Sequence, residues 1–337
     1  MAKRARAQKV EIAKPRVPKG WDATHRFIRL QLTHSGTGED FHYVDIARIM
    51  SAINRRLYRQ GMVYHVANVQ VQDSQGACEF RFGTIPNTWY FRKAWHLIFN
   101  AWKKQRANLL DVGAPYTKST GKWSDFKVYI NKDHISDVDW PEHKDIENDE
   151  ANDGEWNYAD VSFTKDGTDY QEHAVVMMGP HDMGNSITGE TTPDDTDYDG
   201  VVSAIEAMYE VWNRPKTNNP EVPAGFPDSL LHGMNLGAMA ADATLDDMMS
   251  EIAEENDSAP YNAAFPGRGN FAADPWVVRE TDLDGTGDTM AYVGGFPVPL
   301  GLLCIETQSG TNGNVVNVTI ELAPGEYKGV AATPMWS

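Results

Sequence analysis

Cysteine is nearly missing from this chain. Cys78 and Cys304 are the only two among 337 residues, and their separation suits neither a disulfide framework nor a zinc site. A reducing compartment, or indifference to redox state, is the expectation. Long apolar runs are missing too, since nothing approaches the ~18 residues of a membrane-spanning helix. The opening MAKRARAQKVEIAKPRVPKG has no apolar signal core, so neither a membrane nor secretion is expected. There is no GxxxxGKS or GxxxxGKT phosphate loop, no GxGxxG after a strand, no GxSxG elbow and no HExxH helix. Those absences lead to the expectation that the chain is not an enzyme and holds no cofactor. Carboxylates are plentiful enough to pair at glycosidase spacing by chance, which alone makes a weak case for hydrolysis.

What is present is globular material, with 41% hydrophobic and 10% aromatic residues. The net charge of −18 argues against nucleic acid, but its distribution reverses the argument. Residues 1–135 hold 23 Lys/Arg and 10 Asp/Glu, close to +13, whereas residues 136–337 sum to −31. One surface facing a polyanion and another facing water would produce this asymmetry. The first twenty residues carry Lys3, Arg4, Arg6, Lys9, Lys14, Arg16 and Lys19 against a single acid, Glu11, while Pro15 and Pro18 oppose regular structure. They read as a flexible basic arm over residues 1–20, able to neutralise phosphates without reading sequence.

Residues 21–337 read as one strand-rich domain with inserted helices over about 42–60, 86–110 and 198–260. Ile28, Leu30 and Leu32 alternate in a half-buried strand. Ile46, Ile49, Met50, Ile53 and Leu57 form a stripe that predicts a helix over Tyr43–Gln60, with Arg48, Arg55, Arg56 and Arg59 mostly on its other side. Met62–Gln72 and Ala77–Phe82 flank the turn residues DSQG and predict a hairpin. In Pro86–Leu110, Phe91, Trp95, Ile98 and Trp102 recur at helical spacing, opposite Arg92, Lys93, His96, Lys103, Lys104 and Arg106. Trp89, Trp95 and Trp102 would anchor this helix in a large core.

Further strands are expected over Lys122–Asn131, Trp156–Thr164, Thr168–Met178, Trp276–Thr281, Thr289–Gly294, Leu300–Thr307 and Val315–Leu322. A helix is expected over Val201–Trp212, with acidic loops at 136–154 and 189–200 and short helices within 228–255. Seven or more strands, some joined by turns and others by helical excursions, fit a mainly β fold, an antiparallel β-sandwich of the single jelly-roll kind.

GTIPNTWYFRKAWHLIFNAWKKQ (residues 83–105) and ELAPGEYKGVAATPM (residues 321–335) resemble segments of the capsid proteins of small circular Rep-encoding single-stranded DNA viruses. The resemblance implies a jelly-roll subunit that forms a small icosahedral shell around its genome. Its partners would be further copies of itself and single-stranded DNA, held through Lys3, Arg4, Arg6, Lys9, Lys14, Arg16 and Lys19. Its location would be the virion, and the host cell interior during assembly. Proteins of that kind open with a denser arginine run and are basic overall, whereas this chain is acidic.

The alternative is a non-viral β-sandwich binding module, calcium-dependent or glycan-binding. Asp282, Asp284 and Asp288 begin like a calcium loop, but Val293 stands where the bidentate glutamate belongs, so a hairpin turn accounts for them as well. Asp194, Asp195, Asp197 and Asp199 offer a second carboxylate group, and Trp156, Trp212 and Trp276 offer rings for a sugar. His173 and His181 read as satisfied or exposed histidines before metal ligands.

Overall fold

The alternation around Ile28 becomes strand β1 (Phe27–Thr33) in the computed structural model. The structure describes residues 23–34, 38–73, 77–112, 123–137, 140–150, 154–164, 170–182, 200–212, 274–284, 289–309 and 313–336. In chain order follow β2 (Glu39–Asp45), α1 (Ile46–Asn54), β3 (Met62–Asp73), β4 (Ala77–Thr84), α2 (Trp89–Val112) and α3 (Lys132–Ser136). Next come β5 (Asp160–Thr164), β6 (Tyr170–Val176), β7 (Gly200–Ser203) and α4 (Ala204–Trp212). The chain then runs through β8 (Trp276–Asp284), β9 (Met290–Pro299), β10 (Leu302–Ser309) and β11 (Val315–Leu322). Three short pieces close it: β12 (Pro324–Gly325), β13 (Gly329–Val330) and β14 (Ala332–Pro334). The arm over 1–20, the helices expected within 228–255 and the acidic loop before Gly200 lie outside the described residues.

The fold is mainly antiparallel β. Two sheets carry it, ordered β1-β11-β3-β9 and β2-β10-β4-β8, with β14 pairing the start of β3 beside β11. Period-two burial gives each strand one inward face. Ile28, Leu30 and Leu32 meet Val316, Val318 and Ile320 in one sheet, and Phe80, Phe82, Leu303 and Ile305 come from the other, all in one hydrophobic cluster. Each such side chain contributes roughly 1.5–3 kcal/mol when fully buried.

The expected hairpin between β3 and β4 does not form, because the two strands belong to different sheets. Both alternate with one buried face, Val69 and Val71 on β3 and Phe80 and Phe82 on β4, and these faces share that cluster. The end of β3 stays with its own sheet, where the Asp73 N–H donates to Thr289 O at 3.1 Å.

The helix expected from Tyr43 starts later and ends sooner. Residues 39–45 pair with β10 as strand β2. The Asp45 side chain then accepts from Arg48 N, capping α1, and Arg55 ends the helix in the left-handed conformation at φ 51°. Val201–Ser203 are likewise strand rather than helix, pairing in parallel with β6. Of the strand expected over Lys122–Asn131, the described residues 123–131 form no ladder strand. Gln60 brackets Val128 instead, accepting from its N–H at 2.6 Å and donating to its carbonyl at 3.0 Å, while Tyr129 bridges to Val176 and Ile130 O accepts from Met178 N at 2.8 Å.

Everything from 85 to 275 is inserted between β4 and β8. Its helix α2 spans the stretch the sequence predicts. Phe91, Trp95 and Ile98 are buried with Ile205 and Met208 of α4 against Tyr43, Leu302 and Cys304 on the back of the β2–β10 pair. Trp95 stacks on Phe99 and Trp336 and meets Phe126 edge-on. Trp102 is partly buried, whereas Trp89 is 56% exposed and is not the core anchor expected of it. No helix among the described residues is long and apolar enough to cross a membrane. Trp95→Ala is expected to destabilise the protein by roughly 3–5 kcal/mol. Urea unfolding checks it, and a loss below 1 kcal/mol would show that α2 is not clamped by this ring.

Candidate nucleic-acid interface

The seven basic residues proposed to touch nucleic acid, Lys3, Arg4, Arg6, Lys9, Lys14, Arg16 and Lys19, lie outside the described residues. The structure does describe where that segment joins the domain. Thr24 Oγ1 donates to Lys328 O at 2.8 Å. Asn54, the last residue of α1, accepts from His25 N at 2.8 Å and donates back to His25 O at 3.1 Å. Lys328 Nζ donates to Leu57 O, Tyr58 OH donates to Lys328 O at 2.9 Å, and Arg59 N donates to Tyr327 OH at 3.0 Å. The segments 24–26, 54–59 and 327–328 are thus one knot of local bonds.

This knot is basic. Arg55, Arg56 and Arg59 are exposed, and Arg26 and Lys328 are half-buried beside exposed His25. Burial first, and then the charges of Arg56 and Arg59, hold the Lys328 ammonium below its ordinary pKa. Asp125 faces Arg59 at 3.5 Å, and exposed Glu326 adjoins Tyr327. The sequence places Arg55, Arg56 and Arg59 on a basic side of α1, but in the structure they follow the helix. Lys328, distant in sequence, carried no signal that could have linked it to them.

Asp45 fixes α1, and with it this knot. Its Oδ1 accepts from Arg48 N at 3.0 Å. Its Oδ2 accepts from Tyr158 OH at 3.0 Å, Trp156 Nε1 at 3.1 Å and Gln60 Nε2 at 3.2 Å. Trp156 is therefore a structural donor rather than an exposed sugar platform. Burial pushes the Asp45 carboxyl up from its ordinary pKa, and these bonds oppose the rise. Nearby Lys127, only 3% exposed, lies 4.3 Å over the Trp156 ring and donates to the carbonyls of Trp123 and Asn157. Burial lowers its pKa, and Asp45 opposes that.

Burial also holds His134 at about 3, with the Arg48 charge adding to the effect. Its Nδ1 accepts from Ile130 N at 3.2 Å, and its ring stacks on Tyr43. His181 Nδ1 accepts from Ser203 N at 2.9 Å, and His173 is buried, so both are held within the fold.

The outward face of the β2-β10-β4-β8 sheet is acidic. Glu306, Arg81 and Glu280 form one cross-strand row, and Glu79 and Asp282 stand in the next. Arg81 meets Glu306 at 2.8 Å, Glu39 and Glu280 at 3.9 Å, and Glu79 closely. Burial pushes the Glu306 carboxyl up while Arg81 pulls it down.

Glu79, Glu280 and Asp282 are the one carboxylate group among the described residues close enough to share a cation. Asp282 thus meets acids on its own and the neighbouring strand, while residues 285–288 of the weak calcium-loop match lie outside the described residues. Asp284 ends β8, and Asp288, like the carboxylates between 194 and 199, lies outside the described residues. The Arg81 guanidinium already supplies the positive charge at this spot.

Along α2, Lys93, His96, Lys103 and Lys104 are exposed and Arg92 and Arg106 half-buried, as the helical spacing predicts. Arg106 leans over Trp102 and donates to Ser124 Oγ. Comparison of the chain with protein-family models, curated proteins and solved structures finds no match in any of the three.

Two expectations follow. The His134 pKa is lower folded than unfolded, so its contribution to stability is complete above about 6.5 and is lost as pH falls toward about 3. Its share of the slope reaches ~1.4 kcal/mol per pH unit, and urea titrations at a series of pH values should show His134→Gln to be less steep than the parent over this window. Arg81→Gln is expected to lower Tm at low ionic strength, with NaCl or CaCl2 restoring part of the loss. The unaltered protein should melt at the same temperature with and without millimolar CaCl2, and a calcium-induced rise would assign the acidic face to the metal.

Proposed function

We propose that the two sheets form a single jelly-roll sandwich and that the chain is a coat protein, assembling with copies of itself into a closed shell around nucleic acid. The observation that carries this reading is the strand order. Neighbours in sequence alternate between the sheets, β1 with β2, β3 with β4, β8 with β9 and β10 with β11. Each sheet takes one strand from every such pair, the winding of an eight-stranded jelly roll, an architecture shared by viral capsids, lectins and cupins. Short connections join these pairs, while the long excursions, α1 and residues 85–275, leave from elsewhere.

Charge selects among those uses. A basic segment of seven Lys/Arg precedes β1, and basic side chains gather where it joins the domain, while acids line the outward face of the other sheet. Such a subunit would turn its basic side toward a packaged polyanion and its acidic side away from it. The arrangement calls for no catalytic residue. Assembly would bury apolar area on exposed side chains such as Trp276, Val277 and Tyr292 along β8 and β9.

Electron microscopy and light scattering of the purified full chain test this reading. Uniform closed particles are expected under some condition of salt and pH, with an ultraviolet absorbance ratio reporting enclosed nucleic acid. A chain that stays monomeric across that range would refute the coat-protein assignment.

A further inference from the structure

We infer that copies of this chain join side by side, the turn 145–149 of one copy seating Ile146 on the β9 edge of the next, over Gly294 and beside Tyr292 and Met290. The inference rests on the coat-protein reading and names two surfaces that meet when subunits assemble.

The turn is a fixed knob. Asp145 Oδ1 accepts from Glu147 N at 2.8 Å and from Asp149 N at 2.9 Å, which closes it. The Arg29 guanidinium donates to Asp145 O and Asn148 Oδ1, both at 2.9 Å. Lys144 N donates to Arg29 O at 2.9 Å, and Arg29 N donates to His143 Nδ1 at 3.1 Å, so the same segment covers the edge of β1. Ile146, at the tip, is 93% exposed, the highest value for a large apolar side chain among the described residues. The knob is thus held firmly while its apolar tip packs on nothing within the subunit.

The receiving surface lies at the opposite edge of the same sheet. Arg29, Thr319, Gln70 and Tyr292 form one cross-strand row from β1 to β9. The knob is tied to one end of that row, and Tyr292, 65% exposed, stands at the other, three strand spacings or about 14 Å away. On this side β9 is the last strand, and Met290, Tyr292 and Gly294 are exposed along it. A Cβ on Gly294 would meet nothing within 4 Å, so there is room for an aliphatic side chain next to Tyr292.

Charge favours this pairing. Asp145, Glu147 and Asp149 flank Ile146 and are exposed, and with Lys144 paired to Glu150 and Arg29 beneath, the turn keeps a net negative charge. The acidic face of the other sheet would repel it. β9 carries no charged residue, and its cross-strand partners on that face are Asn68, Gln70 and Gln72. Exposed Arg279 reaches over from β8 and donates to Gly295 O at 3.2 Å, which puts a cation beside the seat. Complementary patches at opposite edges do not close with two copies. They make a heterologous contact that repeats and can close as a ring, which is what a shell requires.

The test is cross-linking of the purified full chain with a short bis-maleimide, alongside light scattering for particles. Three variants are needed, Ile146→Cys, Gly294→Cys and the two together. Native Cys78 and Cys304 are buried, so the introduced thiols are the ones that react. A mixture of the two single variants should give a covalent dimer that neither gives alone, and the double variant should give a ladder of dimers, trimers and larger species. Ile146→Asp should melt at the parent temperature, yet raise the concentration needed for particles by about tenfold or more.

If Ile146→Cys alone cross-links to itself, the knob meets its own copy and the inference is overturned. If the unaltered chain and Ile146→Asp form particles equally well and the mixture gives no dimer, the inference falls and the coat-protein reading stands. If the unaltered chain stays monomeric and the mixture gives no dimer, both fall. A mixed cross-link from a chain that forms no closed particles would uphold the contact and remove the shell.

Discussion

A single buried carboxylate holds three parts of this protein in register. Asp45 ends β2, caps α1 through Arg48 N, and accepts from Trp156 and Tyr158 of the long insertion. Gln60, leaving α1 toward β3, bonds the same oxygen and brackets Val128. A buried anion without donors would be strongly unfavourable. With four donors converging on it, the folded chain has one arrangement that satisfies the group, and any shift of the insertion against the sheets would leave it under-coordinated. Sheet, helix and insertion are positioned by the same requirement.

The strands were legible in the sequence wherever one face is buried. Alternation at Ile28–Leu32 and Val315–Leu322 located β1 and β11, and helical spacing located α2, because each of these elements has one apolar side. What could not be read was partnership. The DSQG turn at 73–76 suits a hairpin, yet β3 and β4 go to different sheets, since pairing is decided by which inward faces meet across the core. The helix expected from Tyr43 failed for a similar reason. Tyr43, Val44 and Asp45 pair with β10, and only the cap at Asp45 starts the helix. As for the site, the basic arm is plain in composition, whereas the knot at its root depends on Lys328 arriving beside Arg56 and Arg59 from far along the chain. No local pattern announces that.

Charge in this molecule is sorted by surface. Arg81 sits amid Glu39, Glu79, Glu280 and Glu306 on one sheet's outward face, so a single cation tempers a field of acids. Around the root of the amino-terminal segment Arg26, Arg55, Arg56, Arg59 and Lys328 gather, with Asp125 facing Arg59. The net value of −18 averages two surfaces of opposite sign, which is why it misleads about partners when quoted alone.

The excursion from 85 to 275 leaves β4 and returns on β8, and its two ends are neighbours, for Thr84 pairs with Trp276. Geometrically, a short turn could close the same ladder, so the excursion resembles a cartridge plugged into a socket one strand-spacing wide. Chemically it cannot be ejected so freely. Trp156 and Tyr158 would leave with it, and Asp45 would keep its cap on α1 but lose two of its donors. Lineages carrying this architecture could therefore rewrite the cartridge's outward features at will, provided that an indole and a phenol still reach back to the one carboxylate.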